Sequence, residues 1–142
     1  MIAKKLMKMN GNYLLDTNIV IALFDKDKNV VDNIQKAESV HVPSIVIGEL
    51  YYGAYNSAKQ KENLEKINQF QNDASILDCD ATTGNHYWQI KKELKDKGNP
   101  IPENDIWIEA LAQQHDLELV SRDKHFEKID NIKVTKWWND WK

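Results

Sequence analysis

Short apolar runs alternate along the chain with longer stretches whose apolar residues recur every three or four positions. The first pattern reads as strands and the second as helices. Asn12–Leu15 is predicted as a strand and Thr17–Phe24 as the helix that follows, with Asp16, Thr17 or Asn18 available as its cap. A short helix over Val30–Lys36 leads to a strand, Val40–Pro43, closed by its proline. Ser44 reads as the N-cap of a helix reaching about Asn56. Lys59–Phe70 is amphipathic, with Leu64, Ile67 and Phe70 at helical spacing. Ser75–Leu77 forms a third strand, and Ala81–Lys97 a long helix ended by Gly98. Pro102 opens a helix to about Gln114. Leu117–Val120 is a fourth strand, Lys124–Lys128 a helical turn and Ile132–Thr135 the last strand. Strands separated by helices imply parallel crossovers, so the expected class is α/β, a central parallel sheet of four to five strands flanked by helices. In such folds the working crevice lies beyond the carboxyl ends of the strands.

The 142 residues fit one domain, with residues 1–11 as a flexible or start-site extension and Met1, Met7 and Met9 as alternative starts. A composition of 42% hydrophobic and 29% charged residues is that of a soluble globular protein. No apolar run approaches the ~20 residues of a membrane helix, and the N-terminus lacks the apolar stretch of a signal peptide. A cytoplasmic protein is expected. Cys79 is the only cysteine, which excludes an internal disulfide; the apolar run before it suggests a buried structural thiol. A net charge of −3 argues against gripping nucleic acid by field alone. The lysine clusters read as solvated helix faces. Arg122, the only arginine, is a candidate ligand for a substrate phosphate. His41, His86, His115 and His125 lack metal-ligand spacing and read as structural or surface residues. In Asp78-Cys79-Asp80, the second acid reads as a helix N-cap rather than as part of a phosphatase pair.

Four acids stand where elements end or begin: Asp16, Glu49, Asp105 and Asp123. Each has an ordinary reading: a cap for Asp16, a solvent-facing helix residue for Glu49, a dipole-favoured first turn for Asp105, a turn for Asp123. Glu49, however, sits among Ile45, Val46, Ile47 and Leu50, an odd place for surface. Carboxylates embedded in apolar sequence are costly unless paired, and a cluster of them calls for a cation. A hard divalent ion with oxygen ligands is the natural answer, the equipment of a metal-dependent phosphodiester hydrolase.

The motifs as a set resemble the PIN-domain ribonucleases, and within them the VapC toxins of toxin–antitoxin pairs. Leu14-Leu15-Asp16-Thr17-Asn18 matches the opening motif and Pro43–Gly53 the second, around Glu49. Gly98–Ile108 matches the third, around Asp105, and Leu119–Phe126 the fourth, around Asp123. The resemblance implies that Asp16, Glu49, Asp105 and Asp123 hold Mg²⁺ or Mn²⁺, with Thr17, Asn18 and Ser121 as polar supports. It also implies hydrolysis of RNA by a metal-activated water, a VapB-like antitoxin as partner, and a homodimer. Ser121 stands where threonine is commoner, and Glu109 where a small residue is frequent. Other readings are a non-cleaving PIN-like module that binds RNA or protein, and a phosphoacceptor receiver-like domain, for which Asp16 lacks an acidic neighbour. Tyr51, Tyr52 and Tyr55 offer surface for partners, with core packing as their ordinary use. Of the terminal tryptophans, Trp137, where the resemblance implies an aromatic beyond the last strand, is expected to pack against the body of the domain. Trp138 and Trp141 are expected to meet a partner rather than RNA, since no basic stripe accompanies them.

Overall fold

The computed structural model describes residues 11–138. The expected extension over residues 1–11, Gly11 excepted, and Trp141 lie outside the described residues. Five strands, β1 (Asn12–Leu15), β2 (Ser39–Pro43), β3 (Ser75–Leu77), β4 (Glu118–Val120) and β5 (Val134–Thr135), form one sheet in the order β3-β2-β1-β4-β5. Every neighbouring pair is parallel. The helices are α1 (Thr17–Phe24), α2 (Lys28–Lys36), α3 (Ser44–Tyr55), α4 (Gln60–Asp73), α5 (Ala81–Asp96) and α6 (Glu103–Gln114), with a 3₁₀ turn at Lys124–Lys128. The α/β class expected from the pattern is the class observed.

Local chemistry sets the ends of these elements. Asp27 caps α2 by accepting from the Val30 N–H at 3.2 Å. Asp80 and Thr83 form a reciprocal capping box at the start of α5, as the N-cap reading of Asp80 anticipated. Gly98 follows α5 with φ +70, a left-handed conformation that glycine adopts without a Cβ penalty. Ser44 is not the cap of α3. Pro43 takes that position with φ −65 and ψ 143, because its ring already fixes the extended entry, and Ser44 becomes the first helical residue.

The chain begins in the middle of the sheet. It moves to one edge through α1–α2, β2, α3–α4 and β3, then returns across the sheet through α5–α6 to β4 and β5. Right-handed crossovers place α1–α4 on one face and α5–α6 on the other. The packing agrees: α1 meets α2 and α3, α3 meets α4, and α5 meets α6. Leu14, Leu15, Leu119 and Val120 on the central strands are almost wholly buried, as are Ile108, Ala110 and Leu111 on α6. Each large side chain of this kind contributes about 1.5–3 kcal/mol by burial. Cys79 departs from its expected burial. It lies past the end of β3, a three-residue edge strand, where no layer covers it, and it is exposed. The reversal of direction between β1 and β4 opens a crevice beyond their carboxyl ends.

Candidate active site

β1 and β4 run in register, with Leu15 opposite Val120. The Asp16 N–H donates to the Val120 carbonyl at 3.0 Å, so both chains leave the sheet at one height. Ser121 Oγ then donates to Asp16 Oδ2 at 2.6 Å. The other oxygen, Oδ1, accepts from the Thr17 N–H at 2.8 Å and caps α1. Sequence alone offered three capping residues and reserved Asp16 for the crevice. The carboxylate divides the two tasks between its oxygens. Asn18 Nδ2 reaches Asp16 Oδ2 at 3.3 Å and Ser121 Oγ at 3.4 Å, while its Oδ1 accepts from the Arg122 N–H at 3.1 Å. Thr17 Oγ1 donates to Glu49 Oε1 at 3.0 Å, which ties α1 to the half-buried acid of α3.

Asp105 enters from the opposite layer, in the first turn of α6. Its Oδ2 lies 2.9 Å from His125 Nδ1, and that same nitrogen lies 3.0 Å from Asp123 Oδ1. Asp123 Oδ1 also accepts from the His125 N–H at 2.9 Å, capping the 3₁₀ turn. Ligand atoms of Asp105, Asp123 and His125 all fall within 4.8 Å of one another. His125 is the residue that sequence reasoning missed. A search for two histidines one helical turn apart could not find it; the informative signal was Asp-x-His immediately after a strand.

Burial first, and the Asp123 charge after it, raise the Asp16 carboxyl above its ordinary range against the pull of Ser121, Thr17 and Asn18. Burial also raises Glu49, with Asp16 and Asp123 adding to it and Thr17 opposing. Asp105 is pushed up to about 6 by burial, then by Asp16 and Asp123, against its hydrogen bond from His125. Asp16, Glu49 and Asp105 thus each feel the Asp123 charge, and Glu49 and Asp105 that of Asp16 as well. A divalent cation relieves this strain, and the donors fit one: carboxylate oxygens suit Mg²⁺ or Mn²⁺, and an imidazole nitrogen adds affinity for the softer of the two.

Glu109, one turn after Asp105, stands apart. It is 2% exposed; its Oε2 accepts from Gln113 Nε2 at 2.9 Å and its Oε1 has no partner. Burial pushes its carboxyl up to about 7, and none of the clustered acids contributes to that shift.

Arg122 does not fit the phosphate role suggested for it. Its Nε and Nη2 donate to the carbonyls of Lys136 and Trp137 at 3.1 and 2.9 Å, and its Nη1 to Asp27 Oδ2 at 3.2 Å. The guanidinium is a strut between the C-terminal segment and the start of α2. Trp137 packs edge-on against Tyr13, ring centres 5.0 Å apart, as expected. Trp138 is half exposed and has Arg122 and Lys136 over its ring at 5.6 and 5.1 Å; Lys136 is its near neighbour in the chain, whereas Arg122 is brought there by the fold. Tyr51 is anchored through Asn68, whereas Tyr52 and Tyr55 are exposed.

The fold and the four acids can be set beside known proteins. The PIN domain family matches residues 13–132. Ribonuclease VapC2 of Haemophilus influenzae is 37% identical over 128 residues, spanning 88% of this chain and 97% of its own. The tRNA(fMet)-specific endonuclease VapC of Shigella flexneri is 30% identical over 128 residues, with the same coverage of 88% and 97%. Among solved structures, VapBC2 from Rickettsia felis, bound to a DNA fragment from its promoter, superposes with a TM-score of 0.79 at 30% identity, covering 87% of this chain and 96% of that one. Likeness of this extent in sequence and in fold leaves one assignment: the chain belongs to the PIN domain family, in its VapC branch.

Proposed function

We propose that this chain is a metal-dependent endoribonuclease, the toxin of a VapBC-type toxin–antitoxin module. The observation that carries this reading is the meeting of Asp16, Glu49, Asp105 and Asp123 beyond the carboxyl ends of β1 and β4, where the Asp123 charge raises the carboxyls of the other three. Asp105, Asp123, Asp16 and Glu49 would hold Mg²⁺ or Mn²⁺, with His125 as a further donor. When bound, such an ion neutralises the acids, makes a water more acidic and offsets charge on a departing phosphate oxygen. The chain's own residues supply the rest. Ser121 and Asn18 fix the Asp16 carboxylate, Thr17 fixes Glu49, and the buried walls restrict water so that charges act strongly. No serine, cysteine or lysine nucleophile is required. Hydrolysis needs only water placed in line with the leaving oxygen.

The relatives named ribonuclease and endonuclease support RNA as the substrate, and a cytoplasmic protein is the reading that accords with it. Among the described residues no helix is long and apolar enough to cross a membrane. The VapBC complexes among the solved relatives support an antitoxin as partner. A groove of about 320 Å³ between α1, α3 and α4 supports the same reading. Ile21, Phe24, Leu50 and Ile67 line it, and Glu49 stands at its wall, so a segment laid there also covers the site. The VapC resemblance further implies a homodimer. The test is purified protein with total RNA. Cleavage that requires Mg²⁺ or Mn²⁺ and stops with chelator is expected; cleavage that persists in chelator overturns the metal assignment.

A further inference from the structure

A second cavity lies on the same edge of the sheet. Pro43 and Leu77, the last residues of β2 and β3, are partners in register. Directly beyond them a cleft of about 540 Å³ is lined by Ser44, Ile45, Asp78, Cys79, Asn104 and Trp107. This volume falls within the ~300–1,000 Å³ of small-molecule pockets. The carboxylate cluster stands beyond β1 and β4, so the cleft is its neighbour across one strand spacing, about 4.8 Å. Asn104 is bonded to Asp105 itself. A nucleotide chain whose phosphate lies among the acids has this cleft within reach of an adjoining base.

The lining selects the part of the nucleotide that enters. Asp78 makes the cleft hostile to a phosphate, and among the described residues no lysine or arginine lines it. Trp107 presents a ring already braced from one side by Tyr87, stacked at 4.1 Å and 14°. Tyr87 is itself held by Lys91 and Glu103. A braced indole facing an open cleft is a stacking platform for an unpaired base. Asn104 and Ser44 offer donors and acceptors, and Asp78 offers acceptors only. Asp78 therefore favours a base whose hydrogen-bonding edge donates. Guanine alone presents two adjacent donors, N1–H and the exocyclic amine, to a single carboxylate.

We infer that this cleft is a base-specificity pocket for the nucleotide beside the scissile phosphate, stacking it on Trp107 and preferring guanine through Asp78. The inference rests on the ribonuclease reading above. The exposed thiol of Cys79, the only cysteine in the chain, is a built-in reporter within the cleft.

Three measurements on the whole protein test it. A randomised single-stranded oligoribonucleotide is cut by wild type and by Asp78→Asn, and the ends are sequenced. Guanine is expected to be enriched at one side of the cut by wild type, with the enrichment lost in the variant; the same base distribution for both overturns the proposal. Trp107→Leu, which keeps an apolar side chain against Tyr87, is expected to lower kcat/KM about tenfold or more on such substrates. An unchanged value overturns the stacking role. The oligonucleotide without divalent ion is expected to slow alkylation of Cys79 by iodoacetamide. Alkylation at an undiminished rate under saturating oligonucleotide counts against occupancy of the cleft. Failure of wild type to cut any RNA is a different result, since it removes the ribonuclease reading itself.

Discussion

At the scale of single residues, His125 and Glu109 carry more than the sequence suggests. Asp16 and Glu49 were legible because each breaks an apolar run, and a surface residue has no reason to do so; Asp105 and Asp123 were legible through the motifs around them. Their supports were legible only through the family motifs, since nothing in the order Thr17, Asn18 and Ser121 states which oxygen each will meet. His125 was not legible, because its partners Asp105 and Asp123 come together only when α6 packs beside the turn after β4. His125→Ala is expected to weaken Mn²⁺ binding more than Mg²⁺ binding, measured by calorimetry, because the imidazole favours the softer ion. Equal losses for the two ions would remove His125 from the ligand set. Glu109 poses a different question. Its carboxyl is raised from an ordinary 4.5 to about 7, so the folded state favours the protonated form. Stability from this group is present at acid pH and is lost as pH rises from about 4.5 through about 7. At roughly 1.4 kcal/mol per unit, Glu109→Gln is expected to gain up to about 3 kcal/mol at pH 8 and little at pH 5. Chemical denaturation at the two pH values measures it; a uniform loss at both would show that Oε1 has a partner after all.

Elements were read more reliably than their ends. All five strands and six helices stand where periodicity placed them, because strand and helix patterns differ over runs this long. The ends moved where a single residue's backbone decides: Pro43 took the capping position from Ser44, and the last strand shrank to the two residues that pair with β4. Cys79 was misplaced for a similar reason, since an apolar run before a residue says nothing of whether a layer lies over it. Helices α1, α3 and α4 make a prediction of their own. Ile21 is 47% exposed on the wall of their groove, an uneconomical position for an isoleucine unless something covers it. Ile21→Asp is expected to reduce co-purification of the co-expressed antitoxin while leaving RNA cleavage by the free protein intact. Undiminished co-purification would place the partner elsewhere.

The whole molecule is organised by one topological fact, the reversal of direction between β1 and β4. It brings acids from α1, α3, α6 and the turn after β4 to one crevice, although they are spread over more than a hundred residues of chain. Sequence patterning predicted parallel crossovers but not the strand order, which depends on how two helical layers share the sheet. The observed order, β3-β2-β1-β4-β5, shows why the site works: buried carboxylates are crowded at a cost to the fold that a cation offsets. Asp105 states this most sharply, with its carboxyl raised to about 6. Above that pH the metal-free protein carries a charge that its surroundings oppose, and below it protons compete with the ion. The direct measurement is thermal melting of wild type and Asp105→Asn at pH 8, with and without Mn²⁺, alongside an RNA cleavage assay. Asp105→Asn is predicted to melt higher than wild type without metal, to gain little from Mn²⁺ and to cut no RNA. A variant that melts lower, is still stabilised by Mn²⁺ as wild type is, and cuts RNA normally would contradict the account.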